Sequence, residues 1–246
     1  MTGPPPSPMA KAALAKAKNP VFLALDRANP SEALALAQVV SPHIGGVKVG
    51  LELFCAGGPS IVRDVQALGL PVFLDLKLHD IPNTVAGAVG AIAPLAPALV
   101  TLHASGGGAM LEAARAAVAP GSPTQLIAVT ILTSLDEAAI EAVGFDPQRP
   151  LGGHVARLAA LAAEARLEGC VCSAFEIEAL RAAHGPDFLL VVPGLRPDAA
   201  DQGDQRRTMT PREALDRGAD VLVIGRPITG APDPQAAAQA IARSLG

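Results

Sequence analysis

Aromatic side chains are scarce in this chain: its 246 residues include no tryptophan, no tyrosine and six phenylalanines. Stacking of bases on aromatic platforms is therefore excluded as a general binding mode. Charge is also sparse, at 17% of residues with a formal net charge of −4. That balance argues against a polyanion-binding surface, so nucleic acid is a poor partner. It does not weigh against a small phosphate held by a few local cations. Cysteine occurs three times, at Cys55, Cys170 and Cys172. Cys170-x-Cys172 puts two thiols on one face of a short apolar run, and two sulfurs without a nearby histidine or further cysteine do not make a zinc site. They read as buried, reduced thiols of a cytoplasmic protein. No apolar run reaches the ~20 residues of a spanning helix. The opening MTGPPPSPMAKAALAKAKNP has no stretch suited to a signal peptide. No membrane partner is expected.

What the chain has in quantity is aliphatic. Half of its residues are hydrophobic, enough to bury a large core of Ala, Val, Leu and Ile. The length fits one large domain. Short apolar runs at 21–26, 46–51, 72–78, 98–103, 125–132, 169–173, 188–193 and 221–225 alternate with Ala-rich helical patterns. Those helices should begin near Ser31, Pro59, Pro82, Met110, Gly153, Glu176, Pro211 and Asp233. Ser31 and Thr210 read as N-caps, with Pro211 at a first helical position. Eight strand–helix units predict a single closed (β/α)8 barrel, a TIM barrel, over residues 19–246. A doubly wound open sheet is the structural alternative. The Pro/Ala/Lys-rich head, 1–18, is expected to be a flexible tail. The polar stretch 197–208 is long for a βα loop and suggests a lid.

Active sites of such barrels lie at the C-terminal strand ends, so polar residues there are informative. Asp26 ends strand one, and Lys48 interrupts strand two between Val47 and Val49. Strand three reads Phe-Leu-Asp75-Leu-Lys77-Leu, with Asp80 just beyond. Alternation along a strand places Asp75 and Lys77 on one face, pointing into the barrel, with Leu74, Leu76 and Leu78 on the other. Burying such charges is costly unless they pair. An ion-pair network of purely structural value is the plain alternative, but five charges at neighbouring strand ends favour a catalytic site. Thr133 and Ser134 follow strand five. Arg196 follows strand seven, and Gly225-Arg226 ends strand eight, in the two loops that often bind phosphate in this fold. His103, ending strand four, reads as a hydrogen-bonded support. Gly106 to Gly108 lacks the rest of a dinucleotide fingerprint. No cluster has metal-ligand spacing, so neither a metal nor a cofactor is expected.

The run Asp75-Leu-Lys77-Leu-His-Asp80-Ile-Pro-Asn-Thr84 resembles the signature of the orotidine 5′-phosphate decarboxylase family. Leu25-Asp26, Lys48-Val-Gly50, Leu102-His103-Ala-Ser-Gly, Pro193-Gly-Leu-Arg196-Pro, Gly203-Asp-Gln205-Arg-Arg and Gly225-Arg226-Pro match further family segments in the same order, from about Val21 to the C-terminus. The resemblance implies roles at each position. Asp26 and Lys48 would contact ribose hydroxyls, and Lys77 would donate the proton. Lys48, Asp75, Lys77 and Asp80 would form an alternating charged array. Asp80, Ile81 and Thr84 would reach into the neighbouring site of a homodimer. Thr133 and Ser134 would lie at the pyrimidine edge. Gln205, Gly225 and Arg226 would hold the phosphate, with Gln205 on a closing loop and Arg196 nearby. Two other readings share these residues. One is another phosphate-binding barrel, such as a metal-using 3-keto-gulonate phosphate decarboxylase or a sugar-phosphate epimerase. The other is a barrel that binds a nucleotide without turning it over.

Overall fold

The computed structural model describes residues 19–197 and 209–246. The expected head at 1–18, most of the expected lid and Gln205 lie outside them. Eight strands close into a barrel in sequence order: β1 (Val21–Ala24), β2 (Gly46–Gly50), β3 (Val72–Leu78), β4 (Leu99–His103), β5 (Gln125–Val129), β6 (Gly169–Val171), β7 (Leu189–Pro193) and β8 (Val221–Ile224). Every pairing is parallel, and β8 returns to β1 with Phe22 opposite Val223. The open-sheet alternative is thereby removed. The outer ring comprises α1 (Pro30–Val40), α2 (Leu51–Ala67), α3 (Pro82–Ile92), α4 (Gly108–Ala116), α5 (Glu137–Ala142), α6 (Leu151–Glu164), α7 (Ile177–His184), α8 (Pro211–Asp216), α9 (Arg226–Thr229) and α10 (Pro234–Ser244).

Several helix ends differ from the sequence expectation for local reasons. Asn29, not Ser31, caps α1, because its side chain accepts from the amides of Ser31 and Glu32. The helix expected from Pro59 is the second half of α2. The chain is already helical from Leu51 and kinks at Gly58, whose φ of 59° only glycine adopts easily, ahead of Pro59. Thr210 caps α8 in a reciprocal capping box with Glu213. The short α5 and α9 are additions that the apolar periodicity did not mark, each being too brief to show a repeat.

Two apolar layers hold the barrel. Outward-facing residues such as Leu23, Val47, Val49, Leu74 and Leu102 pack under the helices, together with Cys170 and Cys172. Those two thiols are free and buried as expected, whereas Cys55 is exposed. Inside the barrel Phe22, Phe73, Leu99, Ile127, Leu189 and Val221 fill the lower layers. Two glycines leave them room. A Cβ on Gly46 would enter the Phe22 ring, and one on Gly169 would strike the carbonyl of Leu189. The bottom of β7 and β8 is tied by Arg181 of α7. Its guanidinium donates to the carbonyls of Gly185 (2.6 Å), Phe188 (2.7 Å) and Gly218 (2.7 Å) and to the Asp220 carboxylate. Among the described residues, no helix is long and apolar enough to cross a membrane.

Because backbone, not a flexible side chain, opposes a methyl at Gly169, Gly169→Ala should destabilise the barrel by about 1–3 kcal/mol. Urea unfolding should show a lower midpoint with an unchanged slope. An unaltered midpoint would show that the β6–β7 spacing can relax.

Candidate active site

The apolar filling of the barrel ends one layer below its C-terminal mouth, and charge begins there. Interior positions on β2 and β3 above Phe22 and Phe73 are Lys48 and Asp75, which are 9% and 7% exposed. Lys48 Nζ lies 2.9 Å from Asp26 Oδ1 and 3.6 Å from Asp75 Oδ2. Lys77 Nζ lies 2.8 Å from the same Asp75 oxygen. Asp26, Lys48, Asp75 and Lys77 thus alternate in sign across three adjacent strand ends. Each ammonium has a carboxylate partner, so the cost of taking these groups from water is offset.

Lys77 reaches Asp75 by a route that strand alternation did not anticipate. The β3–β4 register runs regularly to Leu74 opposite Val100, then resumes at Leu78 opposite Leu102. Four steps on β3 therefore face two on β4. The surplus is taken up as a bulge in which Lys77 has a φ of 51°, a left-handed conformation that is uncommon for a residue with a Cβ. Holding a residue there costs on the order of 1–3 kcal/mol and requires support from its surroundings. Thr101, fully buried on β4, supplies contacts at this point. Its Oγ1 accepts from Lys77 N at 2.9 Å and donates to Asp75 Oδ1 at 2.9 Å. Thr101 was not singled out from the sequence. Its signal was a polar residue at an inward position among the apolar Leu99, Val100 and Leu102.

A cavity of about 170 Å³ opens directly on the array. Lys48, Asp75 and Lys77 form one wall, and Val129, Ile131, Val171 and Val223 face them. The charged groups thus look across the pocket at aliphatic surface, which strengthens electrostatic interactions inside it. A larger cleft of about 470 Å³ adjoins it, sharing Ile131, Leu132, Thr133 and Pro193. Thr133 therefore lines both spaces, while the exposed Ser134 follows it without lining either.

The remaining expected residues fall into two groups. Asp80, Ile81 and Thr84 stand outside the array on the rim, all exposed, with Ile81 at 65%. Asp80 Oδ1 accepts the Ile81 amide at 2.7 Å, and among the described residues it has no cationic partner. Within one chain the alternating set therefore ends at Lys77, and Asp26 occupies its other end. Gly225 and Arg226 begin α9 where β8 adjoins β1. Arg226 is exposed and has no carboxylate partner among the described residues. Gly225 packs close to Ala24, where an added Cβ would lie 3.4 Å from the alanine methyl. Arg196 is half-buried in the loop after β7, its amide donating to Met209 O at 3.1 Å. Arg27, also unforeseen, donates from Nη2 to Thr229 O at 3.0 Å and so ties the β1 loop to α9. His103 stacks obliquely near His79, with ring centroids 5.4 Å apart. Burial, then His79 and Lys77, push its pKa below the ordinary histidine value, while Asp75 opposes them. Among the described residues, no three histidine, cysteine or carboxylate side chains gather as a metal-binding group.

Comparison with known proteins gives concordant matches. The model of the orotidine 5′-phosphate decarboxylase / HUMPS family matches residues 19–241. An orotidine 5′-phosphate decarboxylase of Paramagnetospirillum magneticum is 51% identical over 234 residues, covering 93% of this chain and 99% of that protein. One from Novosphingobium aromaticivorans is 54% identical over 231 residues, covering 92% and 99%. The solved orotidine 5′-phosphate decarboxylase of Lactobacillus acidophilus superposes with a TM-score of 0.80 at 36% identity, over 93% of this chain and all of that one.

The lowered pKa of His103 makes a prediction with a definite sign. A histidine harder to protonate when folded contributes stability that is present above its unfolded value of about 6.5 and lost as pH falls through the lowered folded value. The His103 ring should titrate below 6.5 by NMR. Stability should decline on acidification below that point. His103→Gln should flatten this decline without abolishing it, because burial lowers His184 as well. A His103 midpoint at or above 6.5 would contradict the assignment.

Proposed function

The chain belongs to the orotidine 5′-phosphate decarboxylase / HUMPS family, and we infer that it converts orotidine 5′-phosphate to uridine 5′-phosphate and CO2 in pyrimidine biosynthesis. The observation that carries this reading is the Asp26–Lys48–Asp75–Lys77 array at the open end of the barrel, facing an aliphatic wall. The reaction breaks the bond from C6 of the pyrimidine to its carboxylate. CO2 leaves, the electron pair stays on C6, and a proton must then be delivered there. The Lys77 ammonium stabilises the developing charge and supplies the proton. Asp75 holds that ammonium and, as an anion beside the substrate carboxylate, disfavours the bound ground state. At ~4 Å and an effective dielectric of ~20, such repulsion is on the order of 4 kcal/mol. Enzymes lower barriers by about 8–23 kcal/mol, so stabilisation of the transition state must supply the larger share.

The other site residues complete this reading. Asp26 and Lys48 hold the ribose hydroxyls, and Thr133 and Ser134 attend the pyrimidine edge. Gly225, Arg226 and Gln205 bind the phosphate, with Arg196 beside them. Binding energy gathered at that distant phosphate is converted into rate by ordering the site. No metal or other cofactor takes part. Reduced Cys170 and Cys172 accord with a cytoplasmic location. The protein acts as a homodimer, with Asp80, Ile81 and Thr84 entering the partner's site. Their exposure on the rim supports this, as does the exposed apolar Leu51 at the same end of the barrel.

The direct test is the loss of ultraviolet absorbance when the purified protein meets orotidine 5′-phosphate. Activity that needs an added metal and vanishes with chelator would favour the metal-using relative. Binding of uridine 5′-phosphate without turnover would favour the non-catalytic barrel. In the same assay Lys77→Ala should abolish turnover while uridine 5′-phosphate still binds. Arg226→Ala should instead lower kcat/KM by about 10- to 200-fold, as expected for losing a charge-assisted hydrogen bond of about 1.5–3 kcal/mol. Near-normal turnover by Lys77→Ala would remove its role as proton donor.

A shared site has its own signature. Lys77→Ala and Asp80→Ala should each be inactive alone, yet mixing them under exchange conditions should restore activity toward about a quarter of wild type. A mixed dimer would contain one site with both residues intact. No recovery on mixing, with exchange confirmed by mass, would confine Asp80 to its own chain.

A further inference from the structure

We propose that Thr101 is a positioning residue for the decarboxylation step, its one hydroxyl locking the proton-donating lysine and its carboxylate partner into a single arrangement. The inference rests on the decarboxylase reading given above and adds a residue to which that reading assigns no role.

The ladder between β3 and β4 is interrupted beside Thr101. Regular parallel pairing would offer the Lys77 amide a backbone carbonyl of β4. The jump from Leu74–Val100 to Leu78–Leu102 removes that partner, and Thr101 Oγ1 takes its place at 2.9 Å. A hydroxyl has one proton to give. The Lys77 amide can only donate, so the Thr101 oxygen must accept from it. The hydroxyl proton is then committed to Asp75 Oδ1, 2.9 Å away. Both roles are forced, and with them the rotamer.

Asp75 is consequently fixed through both oxygens. Thr101 holds Oδ1, while Oδ2 faces the ammonium groups of Lys77 at 2.8 Å and Lys48 at 3.6 Å. Thr101 also grips Lys77 at its backbone, at the residue whose φ of 51° needs external support. The same side chain therefore sets the carboxylate and the backbone from which the lysine departs. It does so without lining the pocket, whose charged wall is formed by Lys48, Asp75 and Lys77 themselves. Valine would match threonine in shape but take this partner from the Lys77 amide and from a buried carboxylate oxygen. Serine would keep both bonds and lose only a methyl group.

The test compares Thr101→Val and Thr101→Ser with the wild-type enzyme. Thr101→Val should lower kcat by about 10- to 100-fold, the scale expected when reacting groups are misplaced by a fraction of an ångström to one ångström. KM should stay within about threefold, since ribose and phosphate are held elsewhere. Thr101→Ser should recover kcat to within about threefold of wild type, because it restores both hydrogen bonds. Hydrogen exchange at the Lys77 amide should accelerate in the valine variant and return toward wild type in the serine one. Thr101→Ala carries the same comparison should the valine variant not fold. A valine variant with wild-type kcat would overturn the proposal. So would a serine variant as impaired as the valine one, or a loss in which KM and thermal stability fall away together with kcat. If the wild type itself shows no turnover, the decarboxylase reading fails separately, and exchange at Lys77 alone decides whether Thr101 holds it.

Discussion

One carboxylate between two ammonium groups organises the mouth of this barrel. Asp75 is almost entirely buried, and so is Lys48 beside it. An isolated charge at either position would be expelled or neutralised, because an apolar interior cannot replace its hydration. Their coexistence is possible only because Asp26 and Lys77 extend the alternation on both sides, each reaching toward water. The layer below is aliphatic and aromatic, from Phe22 and Phe73 to Leu189 and Val221. Charge therefore cannot move deeper, and it is held at the one level where a substrate can meet it. The facing wall of Val129, Ile131 and Val223 completes the effect, since field lines from Lys77 cross a pocket flanked by low-dielectric material.

The regular barrel and the irregular strand depend on one another. Seven of the eight strand pairings keep an unbroken register. Only β3 against β4 slips, and there a lysine takes a left-handed backbone conformation. A strained residue persists when its surroundings determine it more firmly than its own preference does. The closed ring supplies that determination: β2 and β4 clamp β3 on both edges, and Thr101 bonds the strained amide directly. Strain thus falls on Lys77, at one end of the charged array, while the other strand pairings keep their register.

That distribution explains what could be read in advance. The eight strands were visible because each is a short apolar run separated from the next by an Ala-rich helical pattern. The charged residues were visible because they break those runs. Expected and observed strands differ mainly at their C-terminal ends, where β1, β5 and β6 stop two or three residues early. At those ends the chain leaves the ladder while apolar residues such as Leu25, Ile131, Leu132 and Cys172 continue the run, so composition places the end too late. Alternation gave the right partner for Lys77 by an incomplete argument, since no one-chain pattern announces a bulge. Thr101 and Arg27 went unremarked for a related reason. A threonine in a strand and an arginine in a loop are ordinary by type, and only contacts to Asp75, Lys77 and Thr229 give them meaning. Gln205 is legible as a motif alone, lying outside the described residues.

Closure of the barrel also accounts for the span of the site. In an open sheet built in sequence order the first and last strands would lie at opposite edges. Here β8 pairs with β1, so Gly225 packs over Ala24 and the start of α9, bearing Arg226, stands beside the loop bearing Asp26. Arg27 fastens the two by bonding the end of α9. Proceeding round the ring from β8, one meets Arg226, which has no carboxylate partner among the described residues, then the Asp26–Lys48 pair, then Asp75 and Lys77, and across the pocket the aliphatic wall. The proposed binding of phosphate, ribose and reactive ring would follow that order. The match requires strands one, two, three and eight to be neighbours, and among parallel sheets built in sequence order only a closed one makes them so.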